Sequence, residues 1–367
     1  MDYMAEAVAA PLPADLLLVF GSHSTISNGV LWRRIQDFYP EAVVAGCSTG
    51  GQIINDKLLD DDAVILALSF DATQVRLAVE RGVEPSTSRH HGRMLGAALR
   101  GDDLTGVFVL ADGLRANGNE LVLGVSEAVG PAVTIAGGMA ADGGSFATTL
   151  VVAQGHVDRG QAIAIGLYGR SFRMQTGIGD GWQVFGPRRR VTKAIGNRLY
   201  ALDGEPVLEL YRRYLDDEDF AGFPKTGLLF PLQISDRDDP RNTVIRAVLD
   251  VDHSDGAVIF GGDLHVGSIA QLMRGVPERL VAGAAAAARQ ISAGVRSDTV
   301  GILVSCIGRR LLMGSRIEDE VLTIADELGS MPRVGFYSLG EICPLPENHR
   351  PRLHNETMTI ITFSEEA

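Results

Sequence analysis

Three stretches of the chain repeat one hydrophobic pattern: an apolar run, a helical stretch, a second apolar run, and a glycine-rich turn carrying small polar residues. The first passes from LLLVF, beginning at Leu16, to the turn GCSTGGQI over residues 46–53. The second starts with GVFVLADG at Gly106, continues through a helical stretch over residues 120–129 and ends in AGGMAADGG over residues 136–144. The third passes from VGILVSC at Val300 to GFYSLGEI over residues 335–342. A strand, a crossover helix and a parallel strand together take about 30 residues, so each copy predicts a βαβ unit. Ligands of parallel sheets sit beyond the carboxyl ends of the strands. The three glycine turns are therefore expected on that edge, converging on a site.

Between the second and third copies the pattern changes. Alternation and short apolar runs predict antiparallel strands over residues 148–154, 161–168 and 172–177. The segment GDGWQVFGP, residues 179–187, sets two aromatics between glycines, as in a loop clamped onto a core or over a pocket. Residues 191–202 read as strand and turn. Pro206 falls in the first turn of a helix whose apolar face carries Leu208, Leu210, Tyr211, Tyr214 and Leu215. The acidic stretch 216–219, with Gly222 and Pro224 after it, marks a boundary between two domains, residues 1–214 and 215–367. Beyond it, strands are expected over 228–234 and 244–252 around a polar loop at 235–242. A turn at Asp255 and Gly256 then leads into a strand over 257–260. An Ala-rich helix over 277–293, the third unit and a final alternating strand over 353–363 complete the chain. The predicted class is α/β, with repeated βαβ units and parallel strands plus antiparallel strands in two intimately associated domains.

Composition narrows the function. The 367 residues suffice for two cores, and a net charge of −13 disfavours a nucleic-acid partner, since the one basic run, 188–190, is too small a footprint. Three widely spaced cysteines, Cys47, Cys306 and Cys343, fit a reducing, cytoplasmic compartment better than a disulfide framework. The N-terminal apolar stretch is interrupted by Pro11, Pro13 and Asp15, and no run of about 18 apolar residues follows. Neither a signal sequence nor membrane insertion is expected. No HExxH or CxxC pattern occurs, so no built-in metal site is expected either.

The candidate chemistry lies in the turns. In GCSTGGQI, Cys47, Ser48 and Thr49 offer short polar side chains among glycines, with no lysine placed as a phosphate loop requires. In GFYSLGEI, Tyr337 and Glu341 supply a hydroxyl and a carboxylate able to hold an ammonium group. Arg309, in SCIGRR, could grip a carboxylate in bidentate fashion. Cys306 or Cys47 would serve as nucleophile only with a base and cationic neighbours to lower the thiol pKa. His23 and His354 are the histidines best placed to face a cleft.

The segments GCSTGGQI, AGGMAADGG, GDGWQVFGPRRRVTKAIGNRLYALDGEPVLELY, SCIGRR, GFYSLGEI and LHNET, in this order, resemble the FIST family of signal-transduction sensory proteins. The resemblance covers nearly the whole chain. It implies a FIST N-terminal and a FIST C-terminal domain, an intracellular sensor of small ligands with amino acids the proposed class, and no catalytic residues. Asp142 matches an acidic position of the family's motif, and some relatives bind haem and sense nitric oxide through partner histidine kinases. No fused output domain is expected in this length, so signalling would pass through a separate partner such as a histidine kinase. The resulting ligand-binding set is Cys47, Ser48, Thr49, Gly138, Asp142, Arg309, Tyr337, Glu341, His354 and Asn355. No cofactor is required by the leading reading; haem on a histidine such as His354 is one alternative, and a cysteine-dependent enzyme is another.

Overall fold

The computed structural model describes residues 13–236, 242–345 and 349–366, so the expected loop at 235–242 and the N-terminal apolar stretch lie largely outside the described residues. The first repeat is strand β1 (Leu16–Gly21), helix α1 (Gly29–Phe38) and strand β2 (Val43–Ser48), followed by β3 (Gln52–Ile54), β4 (Ala63–Leu68) and β5 (Gln74–Arg81). Helix α2 (Ser88–Leu99) leads into the second: β6 (Leu104–Ala111), α3 (Gly118–Val129), β7 (Thr134–Met139), β8 (Val151–Ala153), β9 (Gln161–Tyr168) and β10 (Phe172–Gly179). Helix α4 (Pro277–Ser292) leads into the third: β11 (Val300–Cys306), α5 (Ile307–Met313), α6 (Ile317–Leu328), β12 (Arg333–Ser338), β13 (Glu341–Pro344) and β14 (Met358–Glu365).

The expected parallel pairs are present, β1 with β2, β6 with β7 and β11 with β12. Each carries a glycine at a corresponding point: Val19 faces Gly46, Val109 faces Gly137 and Leu303 faces Gly335. A Cβ on these glycines would stand 2.1, 1.9 and 2.3 Å from the carbonyl oxygens of Val19, Val109 and Leu303. Only a residue without a side chain tolerates that approach.

Past the glycine, each chain leaves its own sheet for a neighbour's. Strand β3 pairs with β12, β13 with β7, and β8 with β2, so the three repeats hand strands to one another in a ring. Strands β4, β9 and β14 then return beside β1, β6 and β11, antiparallel to each. Three mixed sheets result, of five, six and six strands, each built from more than one repeat. Their inner faces share one core in which Phe20, Phe108, Phe336 and Phe363 are buried, with Phe20 and Phe336 stacked at 4.4 Å between centroids.

This ring alters what the glycine turns do. Their backbones bond across repeats: Gly50 N–H to Tyr337 O at 2.7 Å, Ala141 N–H to Ser48 O at 2.9 Å, and Met139 N–H to Gly340 O at 2.8 Å. The turns are crossing points between sheets, not an open rim.

A fourth, antiparallel sheet is built from residues between β10 and α4. Its core joins Leu232, Val248, Val258 and Phe260 to Val207, Leu210 and Tyr211 of the helix Val207–Tyr214. That helix packs with strands of this sheet on both sides of it in sequence, Val191, Leu199 and Leu202 before it and Leu232, Val248 and Val258 after it. The acidic stretch at the expected boundary forms the short helix Asp217–Ala221, capped by Asp216, whose carboxylate accepts from Asp219 N–H at 2.8 Å. Three expected strands break: residues 225–229 form a 3-10 turn before Leu232–Ser235, the strand expected over 244–252 divides at Ala247 into Thr243–Arg246 and Val248–Asp252, and the last strand divides into Pro351–His354 and Met358–Glu365. Asn355 and Glu356 lie at that last break, with Glu356 at φ +62°.

The Ala-rich helix α4 packs against β10 at very short range. A Cβ on Gly179 would lie 2.0 Å from Gly283 O, and one on Gly177 would lie 2.2 Å from Ala287 O. Gly179→Val should therefore destabilise the protein by about 2 kcal/mol through overpacking. Equilibrium urea denaturation reads this directly, and an unchanged midpoint would mean that strand and helix separate without cost.

Candidate functional site

The polar residues of the first two turns are consumed by the ring. Ser48 Oγ donates to Ala141 O at 2.7 Å and accepts from Leu150 N–H at 2.8 Å, while Thr49 Oγ1 donates to Gly21 O at 3.1 Å. The Asp142 carboxylate accepts from the N–H groups of Phe146, Ala147 and Thr148 at 2.9, 2.6 and 2.9 Å, which fixes the loop after β7. Gly138 packs against Val304 and Phe336. Cys47 is buried in the shared core, and burial pushes its thiol pKa far up. None of these five lines a cavity among the described residues, because the crossing strands cover them.

The C-terminal candidates form a second buried cluster. Arg309 is fully buried and already paired: its Nε donates to Glu320 Oε2 at 2.8 Å, its Nη2 bonds Leu280 O at 2.8 Å, and its Nη1 reaches Asp180 O. Ser305 Oγ donates to the other Glu320 oxygen at 2.8 Å. This guanidinium joins α4, α6 and the loop after β10, and is not available to a ligand carboxylate. Tyr337 is buried with its hydroxyl unpartnered, beneath the Arg310 guanidinium, whose carbon lies 5.2 Å from the ring centroid.

Glu341 accepts from Ser338 Oγ at 2.5 Å and Thr357 Oγ1 at 2.9 Å, yet burial drives its pKa up to about 8. Glu356 is more isolated: among the described residues neither carboxylate oxygen meets a strict hydrogen-bond geometry, and burial, followed by the nearby Glu341 charge, holds its pKa well above the ordinary carboxylate range despite the neighbouring Cys306 thiol. The same burial raises the Cys306 thiol, and Cys343 is pushed up to about 12. The arginines beside Cys306 thus do not produce the thiolate that a nucleophile needs.

His354 is buried, its Nε2 lies 3.1 Å from Cys343 O, and burial lowers its pKa to about 3, so the ring is neutral and already engaged. His23 stands exposed at the start of a short helix. Neither fits an axial haem ligand facing a cleft.

An open cavity lies elsewhere, between the strand-exchanged body and the antiparallel sheet. It measures about 590 Å³ and is lined by Leu114, Asn117 and Gly118 from the second repeat, Leu339 and Leu353 from the third, and Arg198, Lys225, Asp250, Phe260, Gly261 and Gly262 from the antiparallel unit. This volume falls in the usual range for small-ligand pockets. It opens where β6 and β7 end, so the rule about carboxyl edges holds for one of the three repeats. Its apolar wall includes Met139, Phe146, Val248 and Ile259. Asn117 caps α3, its Oδ1 accepting from Glu120 N–H at 3.2 Å, and its Nδ2 donates across the gap to Asp263 Oδ1 at 2.9 Å. Lys225 and Asp250 are exposed and in no ion pair among the described residues. Behind Gly262 lies the buried Arg246, bonded to Leu353 O at 3.0 Å and pushed down to about 10 by burial.

Of the sequence-derived set, Asn355 comes nearest this cavity. It is buried against the lining residue Gly261 with its Oδ1 unpartnered, and its Nδ2 donates to Leu339 O at 3.4 Å. The cavity residues that sequence reasoning passed over had faint signals: the Asn-x-x-Glu cap at 117–120, and the glycine pair that ends the strand Ala257–Phe260.

The structure is thus a two-part α/β fold with an open cleft at the seam between its parts. The chain belongs to the FIST family: the FIST N domain matches residues 15–205 and the FIST C domain residues 208–344. FIST domains are sensory domains of signal transduction associated with small-ligand binding. An uncharacterized protein of Methanocaldococcus jannaschii is 28% identical over 185 residues, 47% of this chain and 34% of that protein. An uncharacterized protein of Mycobacterium tuberculosis is 26% identical over 202 residues, 51% of this chain and 50% of that protein. The match thus spans half or less of these relatives' length. The crystal structure of a cyanuric acid hydrolase from A. caulinodans aligns with 80% of this chain and all of its own at 11% identity, with a TM-score of 0.18, too low to argue a shared fold.

Two measurements test the buried cluster. Arg309→Met should cost about 3–5 kcal/mol, because it strands the Glu320 charge in the interior; denaturation of the single variant and of the Arg309→Met, Glu320→Leu double variant checks this, the double being the more stable. Glu341 and Glu356 keep protons that the unfolded chain releases above its ordinary pKa of 4.5, so each lowers stability as pH rises. The slope is about −1.4 kcal/mol per pH unit for each group while only the unfolded state is ionised. Glu356→Gln should flatten the stability–pH curve by that amount as pH rises above the ordinary carboxylate range. An identical slope in the variant would refute the assignment.

Proposed function

We propose that the protein is an intracellular sensor that binds an amino acid or related metabolite in the cleft between the second repeat and the antiparallel sheet, and passes the signal to a separate output protein such as a histidine kinase. The observation that carries this reading is the pair of opposite charges, Lys225 and Asp250, on a cleft with an apolar wall, neither engaged in an ion pair among the described residues. An amino acid presents a carboxylate, an ammonium group and a side chain. Lys225 suits the first; Asp250 suits the second; the wall of Met139, Phe146, Val248 and Phe260 suits an apolar third.

The cleft also suits a signalling role by position. A ligand there touches both bodies of the protein, and only a ligand with different contacts in two arrangements can shift the balance between them. Haem is not favoured, because among haem-ligating side chains the cleft lining offers only Met139, on its apolar wall. Cysteine-based catalysis is not favoured either, since all three thiols are buried.

A thermal-shift screen against amino acids and related metabolites, followed by calorimetry on any hit, tests the reading, since a ligand of the native state raises the melting temperature. Lys225→Ala and Asp250→Asn should each weaken binding about tenfold or more, the usual loss for one charge-assisted contact. Wild-type affinity in both variants would place the ligand elsewhere.

A further inference from the structure

The ring of repeats is complete except at one edge. Strand β9 has an outer antiparallel neighbour, β5, paired from Gln161↔Arg81 to Tyr168↔Gln74. Strand β14 likewise has β10, paired from Phe172↔Glu365 to Gly179↔Met358. The corresponding strand of the first repeat, β4, pairs with β1 and ends its sheet, with no outer neighbour among the described residues.

The register of that edge can be read from the structure. Ser22 N–H donates to Asp62 O at 2.9 Å, so the alternation of an antiparallel ladder turns the backbone groups of Val64 and Leu66 toward β1. Those of Ala63, Ile65 and Ala67 face outward. The Ala63 N–H is held by the Asp62 carboxylate at 2.8 Å, which marks one end of the open stretch. The strand reads AVILAL, with no proline, glycine or charge of the kind that usually protects a free edge.

We propose that β4 is a dimerisation strand, pairing antiparallel with β4 of a second copy about a two-fold axis that sets Ile65 opposite its own counterpart. A two-fold axis normal to the sheet keeps equivalent faces on the same side, so residues that meet must share parity. Centring on Ile65 matches the outward-facing backbone groups, sets Ala63 opposite Ala67 and Val64 opposite Leu66, and continues the sheet across both copies. It also places Asp60, Asp61 and Asp62 against Phe70, Ser69 and Leu68 of the other copy, so no acid meets an acid. Centring on Leu66 would set Asp61 against Asp71 and present backbone groups already bonded to β1. The strand is thus self-complementary in one register.

The test is the sedimentation behaviour of the full chain over a concentration series. The wild type should show a reversible monomer–dimer equilibrium, and Ala67→Pro, which removes an outward N–H at an exposed position, should be monomeric with an unchanged circular dichroism spectrum. Should that variant fail to fold, Ile65→Cys decides: Cα atoms of a hydrogen-bonded antiparallel pair lie about 5.5 Å apart, within disulfide range, so mild oxidation should yield a covalent dimer. The native cysteines are all buried and do not compete. A wild type that stays monomeric throughout, a dimer that survives in folded Ala67→Pro, or an Ile65→Cys variant that cross-links no faster than a cysteine placed at exposed Val266 would each overturn the proposal.

Discussion

The close approach of each second strand to the first, permitted by Gly46, Gly137 and Gly335, is the constraint on which the rest of the structure depends. It lets the chain cross to the next sheet immediately after the parallel pair, without a long loop. Each sheet then needs strands from a second repeat to be complete, so no βαβ unit here closes on its own. Such mutual completion buries the junction. A substituted side chain at any of the three glycines would push against a carbonyl oxygen at the centre of a sheet, where little can yield.

The same closure buries charged side chains. Arg309 and Glu320 sit where α4, α5, α6 and the loop after β10 meet, and the guanidinium satisfies backbone carbonyls from segments far apart in sequence. Pairing of this kind contributes little net stability compared with well-packed apolar side chains, but removing one partner is costly. Glu356 shows the opposite arrangement, an acid without a cationic partner among the described residues, held at positive φ beside Gly308, where a Cβ would lie 2.2 Å from its Oε1. Its burial is tolerable only with the proton retained.

The sequence made the three parallel pairs legible because the apolar runs, the helical stretches and the glycine turns are each local signals. Strand β9 and the antiparallel strand Ala257–Phe260 matched their apolar runs residue for residue, and α4 came within one residue. What the sequence left unread was partnership. Nothing local shows that Gln52–Ile54 pairs with Arg333–Ser338 and not with its own repeat, and the placement of Ser48, Thr49 and Glu341 at an open rim rested on that unstated assumption. The same polar residues that suit a ligand also suit a crossing point, since both require backbone groups satisfied at close range. The cleft was hidden for a related reason: Asn117, Lys225, Asp250 and Gly262 come from distant segments and share no motif.

The division between a sealed junction and an open cleft also bears on how a signal could leave the protein. The ring is held by main-chain bonds at its crossings and by the buried Arg309–Glu320 pair beside the third repeat, so ligand binding has little there to rearrange. Around the cleft the polar link from Asn117 to Asp263 is a single neutral-to-charged hydrogen bond, and Arg246 reaches Leu353 only through a carbonyl. A contact of that kind is worth roughly 1.5–3 kcal/mol, comparable to what a small ligand can supply by its differential binding. If the proposed ligand binds in the cleft, this balance of energies favours a response at the seam between the strand-exchanged body and the antiparallel sheet over one within the ring.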